Sequence, residues 1–323
     1  MFCRNPFTML TVLNDGSVYP CCASWLSKPA GNILENTLLE IWNGPTLEDI
    51  RESILEGSFR YCTKCPFLPG PRGFVVQEGR AVPSPDRIGI LKLDYDQSCN
   101  LICRGCRTQH SSHWVQFDKV KTIHTTLLNS DSLKHANQLY ITGAGDPFAS
   151  PFYWEILRDL PKLAPDPSTR LLIHTNGLLF TPSNWKRLGE TTRRIETICV
   201  SIDASCPATY DINRGGDWDV LMKNLSFIAS IHTRSICLVL FFVVQLNNFM
   251  EMPAFVRLGN KFSANHINFV ALQNWSTFEK REYLNRAIHL PSHPQHGHLL
   301  ETMRAVRSMK TKCSITPLDV ITN

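Results

Sequence analysis

The chain has 323 residues, 43% hydrophobic, 10% aromatic and 19% charged, the profile of a globular protein rather than a disordered, collagen-like or coiled-coil chain. Its longest apolar run, Ile236 to Val244, falls well short of the roughly 20 residues of a membrane-spanning helix, and the first residues, Met1-Phe2-Cys3-Arg4-Asn5-Pro6, lack the apolar stretch of a secretory signal. A net charge of +5, without long single-sign blocks, is too diffuse for a nucleic-acid footprint, so the expected setting is the cytoplasm, with no membrane and no nucleic-acid partner.

Taken in chain order, residues 1–75 are turn-rich. Val12-Leu13 and Val18-Tyr19 around Asp15-Gly16 predict a small hairpin. Leu47, Ile50, Arg51, Ile54 and Leu55 recur at helical spacing behind Thr46 as a cap, with Gly57 past the end. A Pro- and Gly-rich stretch follows, with 76–87 as the linker. From Ile88 to Leu272 apolar runs alternate with helical patterns, the signature of a parallel sheet with crossover helices. The expected strands are Ile88–Leu93, Leu139–Thr142, Leu171–His174, Ile198–Ile202, Ile236–Val244 and Ile267–Ala271. Ser150, Thr181 and Asp217 are the expected caps of the helices between them, the last helix burying Trp218, Leu221, Met222, Leu225 and Ile228. Residues 273–323 form an expected helical extension. Its histidines, His289, His293, His296 and His298, lie around Pro291 and Pro294 and read as solvated rather than metal-binding.

Twelve cysteines in a reducing compartment read as metal ligands, catalytic thiols or core packing rather than disulfides. Cys99, Cys103 and Cys106 form a knot just after the first expected strand, able to hold three irons of a four-iron cluster and leave one open. Structural zinc completed by His110 or His113 is the alternative. At the amino end, Cys3, Cys21, Cys62 and Cys65 make a complete set of four, for which a zinc ribbon is the rival, with Cys22 able to replace Cys21.

The three-then-two spacing of Cys99-x-x-x-Cys103-x-x-Cys106 resembles the radical S-adenosylmethionine (SAM) enzymes, and the resemblance covers residues 88 to 272. It implies an α/β fold, a partial (β/α)6 TIM-like barrel, with one four-iron cluster that chelates SAM. Gly143-Ala144-Gly145-Asp146-Pro147 is similar to the family's glycine-rich segment that receives the SAM amino group, with Asp146 where Glu is usual. Asn176 in His174-Thr175-Asn176-Gly177 ends the third strand as in many members. Ser201 and Asp203 look like the ribose-contacting segment, and Arg214 like the arginine that meets the SAM carboxylate. Gly105 stands where an aromatic residue often packs on adenine.

The amino-terminal cysteines, with Pro6-Phe7, Gly31-Asn32-Ile33, Leu39-Glu40-Ile41-Trp42 and an arginine-bearing helix, resemble the twitch domain, a shortened SPASM domain that holds one auxiliary four-iron cluster. That family usually places it after the barrel. The resemblance implies two four-iron clusters, SAM, a flavodoxin- or ferredoxin-type electron donor, and hydrogen abstraction from a small molecule such as a sugar or aminoglycoside, ending in oxidation or epimerisation. A ribosomally made peptide is the alternative substrate, and a non-catalytic iron-sulfur or zinc module the alternative class. Should the reaction be an epimerisation, Cys313 and Cys206 are the candidate catalytic hydrogen donors, whereas Cys199 and Cys237 read as core.

Overall fold

The computed structural model describes residues 2–63, 65, 68, 83–108, 117–232 and 235–316. His110 and His113, most of the 76–87 linker and residues 317–323 lie outside them. The chain divides into two compact units, one made of Met1–Ser98, Ser112–Ile173 and Leu188–Ile195, the other of Cys99–Ser111, His174–Arg187 and Glu196–Asn323.

The strands are β1 (Met9–Leu13), β2 (Ser17–Tyr19), β3 (Gly31–Asn32), β4 (Ile88–Asp94), β5 (Ala136–Ile141), β6 (Arg170–Thr175), β7 (Ile195–Ser201), β8 (Cys237–Val244), β9 (His266–Ala271) and β10 (Ser314–Thr316). In the first unit β6, β5, β4 and β1 pair in parallel, and β2 and β3 continue antiparallel from β1. In the second, β7, β8, β9 and β10 pair in parallel in that order. Every strand expected from Ile88 onward is present, and helices alternate with them in an α/β architecture. Among the described residues no helix is long and apolar enough to cross a membrane.

The alternation along β8 shows how the sequence sets the layers. Leu238, Leu240, Phe242 and Val244 are fully buried, while Cys237, Val239, Phe241 and Val243 between them are half-buried. Phe242 packs on Phe255 and Phe269 with ring centroids 4.7 and 5.5 Å away, and burying a ring of this size contributes about 2 to 3 kcal/mol. Phe255 comes from the helix Met252–Lys261, so this face is the one covered by helices. The other row faces the half-open side, where Ser201, Phe241 and Asn268 follow one another in register.

The caps at Ser150 and Asp217 accept backbone N–H bonds from Tyr153 and Val220, and Thr181 accepts one from Asn184. The first long helix begins a residue before the expected cap: Gly44 is the N-cap and Pro45 the first helical residue, whose missing N–H leaves no bond unmade, so Thr46 lies inside the helix. On the helix Trp218–Ile231, Asn224 rather than Met222 shares the buried face with Leu221, Leu225 and Ile228, because its amide is used by a neighbouring turn.

The histidine patch corrects the expectation of solvated side chains. His289 is 2% exposed and His293 is also buried. His293 is held between the Asn285 carbonyl and the Gln295 N–H, and His289 Nδ1 is buried without a partner among the described residues. Burial, with His296 and His293 nearby, lowers the His289 pKa from 6.5 to about 4. A depressed histidine pKa means that the unfolded chain takes up the proton first, so stability is full above pH 6.5 and falls as the pH drops towards 4. The expected loss is about 3 kcal/mol over that window, and His289→Phe should flatten this part of a denaturation-midpoint series against pH.

Candidate active site

The amino-terminal thiols are placed by short, heavily tied elements. Gly16, at φ +83°, makes the hairpin turn between β1 and β2, and the turn delivers Cys21 just beyond β2. Thr37 and Glu40 form a capping box on the helix Leu38–Trp42. Arg51, buried in the next helix, donates from Nε to the Pro6 carbonyl and from Nη1 to the Trp42 carbonyl, both at 2.9 Å, and lies over the Trp42 ring. This clamp fixes the segment that begins at Cys3, and it gives Pro6, Trp42 and the arginine-bearing helix one common task. Gly31 is required because a Cβ there would stand 2.8 Å from the Ile41 side chain.

Within this segment Cys3, Cys21, Cys62 and Cys65 feel one another electrostatically. Burial pushes the Cys21 thiol to about 11, with Cys3 and Cys65 adding to the rise. Burial and then Cys65, Cys3 and Cys21 push Cys62 to about 12. Cys22 instead turns to the Ser24 hydroxyl at 3.1 Å, whereas Cys21 is among the thiols that act on Cys62. Four thiols that influence one another match the donor set of a four-iron cluster. Among the described residues no three His, Cys, Asp or Glu side chains already stand close enough to hold a single metal ion, and a four-iron cube spreads its thiolates more widely than one ion does.

In the same unit Gly143-Ala144-Gly145-Asp146 follows β5. Asp94, at the end of β4, accepts from the Thr142 hydroxyl and the Gly143 N–H at 2.9 and 3.1 Å, and Ala144 N–H bonds the Thr142 hydroxyl. Asp146 is buried, its N–H bonded to the Ser98 carbonyl and its carboxylate accepting from Phe148 N–H, so the shorter acid serves the turn before Pro147. A Cβ on Gly145 would meet the Ser98 carbonyl oxygen at 2.6 Å and the Gln97 backbone at 2.9 Å. Backbone cannot swing away as a side chain can. Gly145→Ala should therefore destabilise the protein by about 1 to 3 kcal/mol, read as a lower urea midpoint, by displacing the backbone at Gln97 and Ser98.

The second unit carries the three-cysteine loop. Cys103 is 8% exposed, Cys99 half-buried and Cys106 exposed. Asn176 Nδ2 lies 3.7 Å from Cys99 Sγ and 2.8 Å from Asn100 Oδ1. Arg214, the last residue of the helix Pro207–Arg214, donates to Cys103 Sγ at 3.5 Å and pairs with Asp203 at 2.7 Å. Burial works against the Arg214 charge, but Asp203 and Cys103 outweigh it and raise its pKa. Burial likewise pushes the Asp203 carboxyl up, against the pull of Arg214 and the Val243 N–H.

Ser201 and Asp203 do not continue one strand face. β7 ends at Ser201 and Asp203 takes φ +60°, its carbonyl held by Asn213 and Asn248. Ser201 instead bonds His174 at 2.8 Å. Arg214 Nε and the Tyr210 hydroxyl, on the same helix, are buried without a partner among the described residues. Two unspent donors beside a buried thiol are what an oxygen-rich ligand such as the SAM carboxylate asks for. Gly105 has Leu272 and Phe278 around its Cβ position, so apolar side chains are supplied there from elsewhere in the unit.

The two expected hydrogen donors are differently placed. Cys206 precedes the helix Pro207–Arg214, and its thiol faces Thr209 at 3.5 Å and Glu251 at 3.7 Å. Glu251 also accepts from Ser205 and Thr209, tying the helix start together. Cys313, the other candidate, is placed differently. It is 4% exposed, bonds Asn260 Oδ1 at 3.4 Å, and precedes β10, whose first residue pairs with His266 at the start of β9. That is the end opposite to the strand ends near Asp203, so the geometry takes Cys313 away from a donor role. Cys199 is buried core, as expected, with burial raising its pKa to about 12. Sequence reasoning missed Tyr210 and Asn248, since a tyrosine on a helix and an asparagine in a loop carry no spacing signal.

Residues 3–66 match the SPASM family, described as an iron-sulfur cluster-binding domain. No curated protein sequence matches the chain. Among solved structures, Streptococcus suis SuiB bound to S-adenosylmethionine is similar at 12% identity and TM-score 0.49, covering 84% of this chain and 55% of its own. The structure of anSMEcpe with bound AdoMet and Kp18Cys peptide has 15% identity and TM-score 0.43, covering 70% and 63%. Archaeal TYW1 has 16% identity and TM-score 0.35, covering 60% and 56%. The chain thus spans little more than half the length of SuiB. The match marks residues 3–66 as an iron-sulfur cluster-binding domain of the SPASM kind, and the Cys99, Cys103 and Cys106 loop follows β4, the first strand of the β/α alternation.

Proposed function

We propose that the chain is an enzyme that reductively cleaves SAM and removes a hydrogen atom from a C–H bond of a small hydroxyl-bearing substrate, of the sugar or aminoglycoside kind, in a two-electron oxidation. The reading is carried by Cys103, a buried thiol faced by Arg214 and set beside two unspent donors. Held on Cys99, Cys103 and Cys106, a four-iron cluster would supply the electron for reductive cleavage of SAM to methionine and a hydrogen-abstracting radical, and an auxiliary cluster on Cys3, Cys21, Cys62 and Cys65 would offer a place for the substrate's second electron.

The chain's own residues bind and orient. Arg214 is held by Asp203, keeps Nε for the SAM carboxylate, and cannot drift because Asn213 and Asn248 fix the Asp203 backbone. Asn224 bonds the Gly177 and Leu178 carbonyls, both at 2.9 Å, which fixes the turn that presents Asn176. The half-buried row of His174, Ser201 and Asn268 beside Phe241, whose ring lies 4.6 Å from His174, favours a substrate that is apolar on one face and hydroxylated on another. Oxidation is favoured over epimerisation because Cys313 lies at the far strand end and Cys206 is engaged by Glu251. A flavodoxin- or ferredoxin-type protein is the proposed electron donor.

The iron-loaded chain, reduced with dithionite and given SAM, should release 5'-deoxyadenosine and methionine in equal amounts. With a deuterated sugar or aminoglycoside panel, deuterium in the 5'-deoxyadenosine would mark the substrate. A fully loaded, reduced chain that leaves SAM intact would overturn the assignment.

A further inference from the structure

His174 and Ser201 form a bonded pair on the half-buried row of the second unit, with the imidazole Nε2 2.8 Å from the serine Oγ. The Phe241 ring packs against the imidazole, with centroids 4.6 Å apart and planes inclined by 35°, so one face of the ring and one of its nitrogens are both held. Phe241 itself pairs in register with Ser201 on one side and Asn268 on the other. The pair lies one step along the chain from the cluster loop: Asn176, two residues and therefore at most about 7 Å beyond His174, has its amide nitrogen 3.7 Å from Cys99 Sγ. Of the four side chains in this row, only the imidazole can take up a proton near neutral pH. Asp203 and Cys206, beyond the end of β7, are already engaged, the first by Arg214 and the second by Glu251.

We infer that Ser201 and His174 form a proton relay for the oxidation, in which Ser201 Oγ accepts the proton of the substrate's hydroxyl and passes its own to His174 Nε2. The inference rests on the reading of the reaction as oxidation of a hydroxyl-bearing carbon. Removal of a hydrogen atom from that carbon leaves a carbon-centred substrate radical that still carries its O–H. Completing the two-electron oxidation then needs an electron to leave for an oxidised iron-sulfur cluster of the chain and a proton to leave for a base. The O–H bond breaks; of its electron pair and the radical electron, two make the second C–O bond and one departs, so the product is a carbonyl compound. Ser201 ends as it began, having gained one proton and given one up, and the imidazole ends as imidazolium. A serine suits the middle place because its hydroxyl donates one hydrogen bond while it accepts another. The relay uses the His174 tautomer that carries its proton on Nδ1, in which Nε2 is the acceptor. Ser201 is thus the group that touches substrate, and His174 is where the proton comes to rest.

The test uses the reduced, iron-loaded full-length chain with SAM and a panel of sugars and aminoglycosides deuterated at their hydroxyl-bearing carbons. For the panel member that labels 5'-deoxyadenosine, wild type should form carbonyl product and labelled 5'-deoxyadenosine in equal amounts. His174→Gln keeps a hydrogen-bonding side chain beside Ser201 but no proton acceptor, and should lower that product ratio about tenfold or more while the substrate radical builds up in electron paramagnetic resonance spectra. Ser201→Ala cuts the relay at its other end and replaces His174→Gln as the test where that variant loads too little iron. In the unreduced chain, where nothing turns over, Ser201→Ala should also weaken binding of that panel member about tenfold by calorimetry, and leave the affinity for its analogue with hydrogen in place of the hydroxyl unchanged. A product ratio equal to wild type in His174→Gln, or in Ser201→Ala where that variant is used, would overturn this inference alone, as would an affinity that Ser201→Ala changes equally for both ligands. A chain that cleaves SAM yet takes label from no panel member, or takes label and forms an epimer instead of a carbonyl compound, would overturn the functional reading of substrate or reaction and this inference with it.

Discussion

Replacing Cys99, Cys103 and Cys106 together by alanine should lower the iron content from about eight to about four atoms per chain and abolish SAM cleavage. The expectation follows from two separate thiol sets. Cys3, Cys21, Cys62 and Cys65 influence one another and belong to the first unit, whereas the loop thiols belong to the second. A complete set of four thiolates keeps its cluster without help from the loop. The converse variant, with the four amino-terminal cysteines replaced, should also keep about four irons, and its remaining signal should respond to SAM. Iron analysis with SAM turnover checks both. Retention of about eight irons in the first variant, or zinc in the amino-terminal set after anaerobic preparation, would contradict the two-cluster account.

Asp203→Ala should be the most damaging single substitution at the site. Asp203 and Arg214 are a buried ion pair, with side chains 8% and 12% exposed. Removing the acid leaves a guanidinium in the interior with only the Cys103 sulfur and an already unpartnered Nε, and an uncompensated buried charge costs about 3 to 5 kcal/mol. In a chain of this size that corresponds to a drop in Tm of about 10 °C. The Asp203 carboxylate also accepts the Val243 N–H, whose loss adds to the effect. Asp203→Ala combined with Arg214→Met should recover much of the stability and none of the SAM affinity, because it removes the stranded charge along with the carboxylate's partner. Calorimetry on both variants separates the two roles, and an unchanged Tm in Asp203→Ala would show that the pair contributes nothing to the fold.

The strands from Ile88 onward were legible because each is an apolar run bounded by turn residues, and burial on the helix-covered face demands such runs. Their starts were less so: β7 begins at Ile195, before Glu196 and Thr197, since backbone pairing continues through polar residues that periodicity discounts. The parallel pairing of β1 with β4, Met9 on Ile90 through Leu13 on Asp94, left no mark in the sequence, because a strand's pattern tells which face it buries and not which neighbour it takes. At the site, the cysteines stood out by their spacing, whereas Asn176 and Arg214 came from the family resemblance. Their mutual contacts came from neither. That Arg214 meets both Asp203 and Cys103 depends on the αL turn at Asp203, and that turn on Asn213 and Asn248, which no local pattern announces. The histidines misled for a related reason: Pro291 and Pro294 signal a turn, but the turn folds His289 and His293 inward.

The central claim, that the Cys99, Cys103 and Cys106 loop holds a cluster with one iron left for SAM, is tested most directly by electron-nuclear double resonance on the reduced full-length chain with SAM isotopically labelled at its amino and carboxylate groups. The account predicts strong couplings from both labels to the SAM-responsive cluster, lost in the triple alanine variant. A reduced, fully iron-loaded chain that binds labelled SAM without either coupling would contradict it.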